Sequence, residues 1–479
     1  MYEQLLSPFP IKGMVLPNRL VVPAMVTRLS GEDGLVNKEI TDRYVRFAKG
    51  QVGLIVVEAM AVHGAKSGPL LRISDDTFKP GLTDLAKRVH DTSDSKVMPQ
   101  IIHFLKIARS GWRQKIEDLS KDDIKLIIEQ YGQAALRARE CGYDGIEMHM
   151  AHAYTMSSFL SKKNKRPDEF GGKSLENRLR VPLAVVKEVK RMVGDDFPIG
   201  VRFLGEECIK GGYTTLESAQ IAVRMAEAGV DYISLSAGGK FEDAVHKDGE
   251  VLYPYTGYSG DRCMPPAEYP DGYNLHMPEA ARRALRNAGL DTPVIATGKI
   301  STPEQAEETL QQGKGDLIGM ARGLLADPDI IKKIKEGKRN TIVTCIYWNV
   351  CKALDETFHK VVCGLWPKEF EHAPYSEDTE APKWQSGEPL KVLVRTNQIR
   401  LNWEQATDNE KVAGYEIWRS ENNGKSFDHI YTVGTSMYTD NLAMSGRRYQ
   451  YFILAYDLAG NKSEKSNLIH AEMPMMIEV

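Results

Sequence analysis

The sequence predicts an α/β fold, a (β/α)8 TIM barrel followed by a small all-β immunoglobulin-like sandwich. Three observations predict it. Short β-branched or apolar runs alternate with helical patterns eight times in the first 340 or so residues. A polar stretch with Pro374 and Pro382 follows, of the kind that links domains. After it the hydrophobic period changes to two, the period of half-buried strands. A chain of 479 residues suits a barrel plus one small module.

Taken in order, the candidate barrel strands are Leu20–Ala24, Gly53–Glu58, Val97–Ile102, Gly145–His149, Ile199–Phe203, Tyr232–Leu235, Val294–Ala296 and Leu317–Met320. Helical patterns between them include Asp122–Cys141, Ser174–Val193, Thr215–Ala228 and Thr302–Gln311. Ser120 before Asp122 and Asp123, and Thr302-Pro303-Glu304, read as helix starts. Eight such alternations favour a closed parallel barrel over a doubly wound sheet, and a barrel carries its chemistry beyond the C-terminal ends of its strands. Two long connections, His103–Leu119 and Gly238–Asn274, read either as functional rims or as structural insertions.

The expected division is a barrel over 1–370 with a cysteine-containing extension at 340–370, a linker over 371–388 and a sandwich over 389–479. In the last region Val392–Val394, Ile399–Trp403, Gly414–Arg419, His429–Thr432, Arg448–Tyr456 and Asn467–Ala471 read as strands of a seven-stranded sandwich. Trp403, Tyr415, Ile417, Tyr449, Tyr451 and Ile453 alternate as core residues do. The pattern resembles a fibronectin type III domain.

A net charge of -3 from 62 basic and 65 acidic residues points away from a nucleic-acid surface. The N-terminus has no basic stretch followed by an apolar run, and no stretch is long enough to span a membrane. Six cysteines, with Cys141, Cys208 and Cys263 scattered and Cys345, Cys351 and Cys363 clustered, do not make a secreted disulfide scaffold. A cytoplasmic protein is therefore expected.

The strongest local constellation is Asp144-Gly-Ile-Glu-Met-His149-Met-Ala-His152-Ala-Tyr154, at the exit of the fourth strand. Two imidazoles and a phenol there can converge on one bound oxygen, polarise a carbonyl and donate a proton. A lone histidine in such a loop is more often only a satisfied polar group; two with a tyrosine weigh against that reading.

With these residues stand Pro17-Asn-Arg-Leu-Val-Val-Pro-Ala-Met25, the stretch SSFLSKKNKRPDEFGGKSLENR over 157–178, and Ala321-Arg-Gly-Leu-Leu-Ala-Asp-Pro328. Together they resemble the old yellow enzyme / NADH:flavin oxidoreductase family over roughly residues 5–370, in the branch containing 2,4-dienoyl-CoA reductase and trimethylamine dehydrogenase. The resemblance implies an FMN-binding barrel. Pro23, Ala24, Met25 and Val26 would line the flavin, with Thr27 near its C4 oxygen, Ala59 supporting the ring and Gln100 on the pyrimidine edge. Arg202 would sit near N1 and the C2 oxygen, where a cation stabilises the reduced ring. Gly298, Lys299, Ala321 and Arg322 would hold the phosphate, at the usual phosphate site of such barrels. His149 and His152 would bind the substrate oxygen and Tyr154 would donate the proton.

The same resemblance implies an ene reductase that passes hydride to the activated C=C bond of an α,β-unsaturated carbonyl compound, an enone, enoate or enoyl/dienoyl thioester. NAD(P)H, or a redox partner protein, would supply the electrons, and a homo-oligomer is expected. Two alternatives stay open: an amine or desaturating dehydrogenase of the trimethylamine dehydrogenase type, for which Trp112, Tyr253, Tyr255 and Tyr258 could supply ring faces, and a flavoprotein scaffold in which the sandwich mediates association. Lys106, Arg109, Arg113 and Lys115 read either as an anion-binding rim or as a solvated basic loop, and His246 as a candidate neighbour of Tyr154.

In this branch four cysteines after the last barrel helix hold an iron–sulfur cluster. Here Cys345, Cys351 and Cys363 match three ligand positions and Trp348 stands at the second. An indole offers iron no anionic donor. Two readings are compatible with these residues: a lost cluster, or one completed by a distant or non-protein ligand. The larger members of the branch continue into dinucleotide-binding domains; after residue 340 this chain shows no Gly-x-Gly-x-x-Gly fingerprint and carries the sandwich instead.

Overall fold

The computed structural model describes residues 2–65, 69–105, 114–209, 211–238, 260–366, 378–395, 398–409, 412–433, 436–440, 443–457 and 459–475. Residues group by contact into two compact units, Met1–Phe241 with Asp271–Cys345, and Glu242–Pro270 with Ile346–Val479.

The first unit is built on eight parallel strands: β1 (Leu20–Val22), β2 (Leu54–Ala61), β3 (Lys96–Ile102), β4 (Ile146–Met150), β5 (Ile199–Glu206), β6 (Tyr232–Ala237), β7 (Val294–Thr297) and β8 (Leu317–Gly319). They close into a barrel in the order β8-β1-β2-β3-β4-β5-β6-β7. Each falls on one of the runs read from the sequence.

The surrounding helices include α1 (Lys38–Lys49), α2 (Lys79–Thr92), α3 (Lys121–Glu140), α4 (Thr155–Leu160), α5 (Leu175–Val193), α6 (Thr215–Glu227), α7 (His276–Asn287), α8 (Pro303–Gln311) and α9 (Ala321–Ala326). Their starts follow local chemistry. The Ser120 hydroxyl accepts from the Asp123 N–H at 3.1 Å while the Asp123 carboxylate accepts from the Ser120 N–H at 2.8 Å, so two orphan donors are satisfied at once. Thr302 and Gln305 repeat the device at α8, where Pro303 occupies the first turn.

Alternation along each strand sorts side chains between two cores. Leu20, Val22, Ile55, Val57, Ile101, Ile146, Met148, Ile199, Val201, Ile233 and Leu235 face the helices. Val21, Leu54, Val56, Met98, Tyr232, Ile295 and Leu317 form a separate apolar cluster with Ile11, Met14 and Leu16. The last three come from a short antiparallel hairpin, Phe9–Ile11 and Met14–Leu16, which plugs the barrel axis at the N-terminal ends of the strands.

Glycine 200 makes room inside. A Cβ there would lie 2.0 Å from Cζ of Tyr232, so only glycine lets that ring lie across the axis. The ring is fully buried and its hydroxyl reaches Glu147.

The second unit contains β9 (Leu390–Arg395), β10 (Gln398–Trp403), β11 (Val412–Ser420), β12 (Asp428–Val433), β13 (Met437–Asp440), β14 (Arg448–Asp457) and β15 (Ile469–Glu472). They form two antiparallel sheets, β9-β10-β13 and β12-β11-β14-β15. Trp403, Tyr415, Ile417, Tyr449, Tyr451 and Ile453 all lie in their common core. Buried Asp440 is held there by Arg419 at 2.9 Å and by the Tyr451 hydroxyl at 2.7 Å.

Compactness and composition divide the chain at different places. The stretch after Cys345 belongs with the sandwich because helix α10 (Val350–Glu356) packs on β11 and β12. Lys352 donates to the Tyr431 hydroxyl at 3.1 Å, and Leu354 and Val362 cluster with Ala413 and Tyr456. Among the described residues no helix is long and apolar enough to cross a membrane.

Replacing Gly200 with alanine is expected to displace the Tyr232 ring and to destabilise the fold by about 1–3 kcal/mol, the usual cost of overpacking a tight core. A urea midpoint equal to that of the wild type would contradict this packing.

Candidate active site

Above the apolar plug, the same alternation aims polar side chains at the axis. Glu147 is buried on β4. Its carboxylate accepts from Gln100 Nε2 on β3 at 2.6 Å and from the Tyr232 hydroxyl on β6 at 3.1 Å. Burial pushes its pKa up, and the Arg202 charge, Gln100 and Tyr232 oppose that shift. Arg202 stands on the neighbouring strand β5, its Cα paired with that of His149. It is buried, yet its Nε has no hydrogen-bond partner.

Two residues beyond Glu147, on the same face of β4, comes His149. The backbone N–H of Ala151 donates to its Nδ1 at 3.1 Å. Its Nε2 lies 3.2 Å from Nδ1 of His152, whose Nε2 lies 2.7 Å from Oγ of Ser236 on β6. Burial first, then His152 and Arg202, hold the His149 pKa well below the ordinary histidine range. Burial and Arg202 lower His152 to about 3. Both imidazoles are thus neutral near neutral pH.

The turn that assembles the pair is strained. His152 and Ala153 have φ of 57° and 60°, two consecutive non-glycine residues in the left-handed region. Such conformations cost of order 1–3 kcal/mol each and persist where the surroundings impose them. Tyr154 follows as the N-cap of α4, and its ring meets that of His149 edge to face at 5.4 Å between centroids.

A second polar cluster anchors the same helix. Thr155 donates its N–H to the His103 carbonyl at 3.3 Å and its Oγ1 lies 2.8 Å from His103 Nδ1. The His103 N–H donates to the Tyr131 hydroxyl at 3.0 Å, and the His63 ring stands 4.5 Å from the His103 ring. Burial, then His63, lowers His103 to about 3; burial lowers His63 to about 4.

The structure thus brings His149, His152 and Tyr154 together, with Arg202 paired across to His149 and Gln100 hydrogen-bonded to Glu147 two residues before it. Pro23, Ala24, Met25 and Val26 follow β1 directly, and Ala59 sits at a bulge between β2 and β3 opposite Gln100. Thr27 is buried with both donors on Glu58, its N–H at 3.0 Å and its hydroxyl at 2.6 Å, so that hydroxyl proton is committed within the protein. Gly298 and Lys299 leave β7, and Ala321 and Arg322 open α9 after β8. With φ of 142° and a would-be Cβ 2.6 Å from Asn274 Cβ, position 298 admits only glycine. Lys299 is buried with its ammonium 3.5 Å from Asp271.

The FMN implied by the sequence resemblance fits these residues. Arg202 offers a buried, unsatisfied N–H beside the axis, of the kind that an anionic or carbonyl edge would satisfy. Gln100 is its neighbour through Glu147, and the glycine-lysine exit of β7 supplies a cation and a close-approach backbone. The cysteine set does not fit a four-thiolate iron–sulfur cluster. Cys345, Cys351 and Cys363 leave the second ligand position to Trp348, which is 48% exposed with its ring edge-on to His429 at 5.8 Å and offers iron no thiolate. No disulfide joins the six cysteines. Among the described residues, the one group of three or more acidic, histidine or cysteine side chains with ligand atoms within 4.8 Å of one another is Asp378, Asp408 and Asp457, in the sandwich unit.

Glu147, Ser236, His103 and Thr155 were not singled out in the sequence. The signal available was position: Glu147 two before His149, and Ser234 and Ser236 alternating along β6. Lys106, Arg109, Trp112, Arg113, His246, Tyr253, Tyr255 and Tyr258 lie outside the described residues.

Comparison with known proteins follows the barrel. A family profile for NADH:flavin oxidoreductase / NADH oxidase proteins matches residues 4–117, 104–248 and 270–341. The NADH oxidase of Thermoanaerobacter brockii is 33% identical over 404 residues, 80% of this chain and 58% of that protein. The cinnamate reductase of Clostridium sporogenes is 28% identical over 399 residues, 76% of this chain and 58% of that protein. A solved complex of 2-naphthoyl-CoA reductase superposes with a TM-score of 0.66 at 25% identity, covering 80% of this chain and 60% of that one. The chain therefore spans just under three fifths of the length of these curated relatives.

The buried histidines make stability depend on pH in a defined direction. An unfolded histidine titrates near 6.5 and these titrate lower when folded. Between those values the unfolded chain binds more protons, so stability is complete above about pH 6.5 and is lost as pH falls toward 3. A His103→Gln variant should lose less stability than the wild type between about pH 7 and about pH 5, read from urea midpoints. An equal or larger loss would contradict the assignment.

Proposed function

Because the chain belongs to the NADH:flavin oxidoreductase / NADH oxidase family, we propose that it is an FMN-dependent ene reductase acting on an α,β-unsaturated carbonyl compound with NAD(P)H as reductant. Bound FMN supplies the hydride and takes up the reductant's electrons. The protein's own residues bind and orient the carbonyl, hold charge and deliver a proton.

The observation that carries this reading is the pair of neutral histidines beside Tyr154, at the end of a strand on which His149 pairs across to Arg202. A neutral imidazole binds a carbonyl oxygen as a donor without protonating it outright. As negative charge gathers on that oxygen, a preorganised donor gains strength in a site shielded from water. Arg202 keeps a fixed positive charge close by. Burial first, and then this charge, keep both histidines neutral, so each ring retains one N–H to donate.

In this reading Tyr154 finishes the reaction by protonating the carbon next to the carbonyl. Its position follows from the strained turn before it and from the His103–Thr155 anchor after it. A cinnamate reductase and a 2-naphthoyl-CoA reductase among the relatives support a conjugated acid or thioester as substrate class. An NADH oxidase supports a nicotinamide as electron donor.

Stopped-flow measurement of the two half-reactions separates these roles. In Tyr154→Phe, reduction by NAD(P)H should keep its rate, while turnover of the unsaturated carbonyl should fall by about 10²–10⁴-fold, the usual worth of a positioned acid. Turnover equal to that of the wild type would remove Tyr154 from the mechanism. In His149→Ala the affinity for carbonyl ligands should fall at least about tenfold, the loss of one buried hydrogen bond to a developing charge.

A further inference from the structure

We propose that Glu147 is a positioning residue for the cofactor: it fixes which end of the Gln100 amide is left for a bound ring, and so demands an N–H on the ring edge that docks there. The inference rests on the reading of the barrel mouth as an FMN site and deepens it.

The polarity follows from what each group can do. Glu147 receives one donor on each oxygen, Gln100 Nε2 on Oε1 at 2.6 Å and the Tyr232 hydroxyl on Oε2 at 3.1 Å. An amide nitrogen only donates and an amide oxygen only accepts. Turning the Gln100 amide over would set its oxygen against Oε1, acceptor against acceptor. Burial opposes charge on this carboxyl, while the Arg202 charge, Gln100 and Tyr232 favour its bare oxygens. Gln100, Glu147, Arg202 and Tyr232 are all buried, where a mismatched pair costs more than in water.

With Nε2 given to Glu147, the acceptor of that amide, its carbonyl Oε1, is left for a ligand; among the described residues no donor reaches it. Arg202 has the opposite need. Its buried Nε–H has no acceptor among the described residues. Strands β3 and β5 therefore offer one acceptor and one donor, with Glu147 between them on β4. A ring edge that answers both carries an N–H next to a carbonyl oxygen. The pyrimidine edge of a flavin has this pattern, whereas an edge of acceptors alone would leave Gln100 Oε1 unanswered.

Glu147→Gln reverses the set at nearly constant size. The Tyr232 hydroxyl needs an acceptor, and Met98 Sδ at 3.8 Å is the weaker alternative. The new amide gives its oxygen to Tyr232 and turns its nitrogen to Gln100, whose oxygen must then accept. Gln100 is left with N–H groups for the ring, donor against donor. Adding Gln100→Glu restores the order: the amide at 147 donates to one oxygen of the carboxylate at 100, and the other oxygen is again an acceptor. This double exchange keeps the wild-type set of groups.

The test reads the ring N–H rather than turnover. The purified protein is loaded with FMN labelled with 15N in its ring, in which N3 is the one nitrogen of the oxidised form that bears a proton. A hydrogen-bonded N3–H gives a sharp, slowly exchanging signal; one without an acceptor exchanges with water and broadens.

The wild type should show the sharp signal. Glu147→Gln should lose it and bind FMN at least about tenfold more weakly, the cost of one buried hydrogen bond replaced by two facing donors. Glu147→Gln with Gln100→Glu should recover the signal and most of the affinity, which a space-filling role for Glu147 does not predict. The proposal is overturned if the wild type binds FMN without a protected N3–H, if Glu147→Gln keeps the signal, or if the double exchange does not give it back. Where the single variant does not fold, the double exchange decides. A wild type that takes up no FMN overturns the flavin reading, and the proposal with it.

Discussion

Everything at the mouth of this barrel depends on how one buried carboxyl group is held. Glu147 points into the barrel because β4 alternates, and the ring of apolar residues below it leaves no water to solvate a carboxylate. Gln100, Tyr232 and the charge of Arg202 make that position tolerable. Tyr232 reaches it only because residue 200 is glycine. Arg202 acts twice: it offsets Glu147 and, from the strand that pairs with β4, lowers the basicity of His149 and His152. Burial, with the Arg202 charge added to it, thereby keeps the groups best suited to chemistry weakly basic.

A second constraint acts along the chain rather than across it. Between His149 and α4 the backbone passes through two left-handed non-glycine residues. The turn is held at one end by the β4 ladder and at the other by Thr155 on His103. These anchors hold the strained turn at the spacing at which His149, His152 and Tyr154 meet. His103 and His63 therefore matter to the geometry of the mouth.

Much of this was legible in the sequence, and the limits have physical causes. The eight strands and the sandwich core were visible because their burial imposes a period that composition records. His149, His152 and Tyr154 stood out because they are close in sequence and chemically unusual together. Helix α2 was not among the helical stretches named from the sequence; in it Pro80 suits a first helical turn and Gly81 lets the helix approach Val36, where a Cβ would lie 3.0 Å away. Glu147 reads as an ordinary acid on a strand until its partners 47 and 85 residues away are known. Ser236 is likewise 84 residues from the histidine it meets. The boundary near 370 followed composition, whereas the packing of α10 on the sandwich decides where the compact units divide.

The most direct test of a flavin site at this mouth is an anaerobic absorbance titration of the purified protein. The account predicts a flavin band that NAD(P)H bleaches and that an α,β-unsaturated carbonyl compound then restores. A protein purified without flavin and unable to take up FMN, or a reduced flavin that no such compound reoxidises, would contradict it.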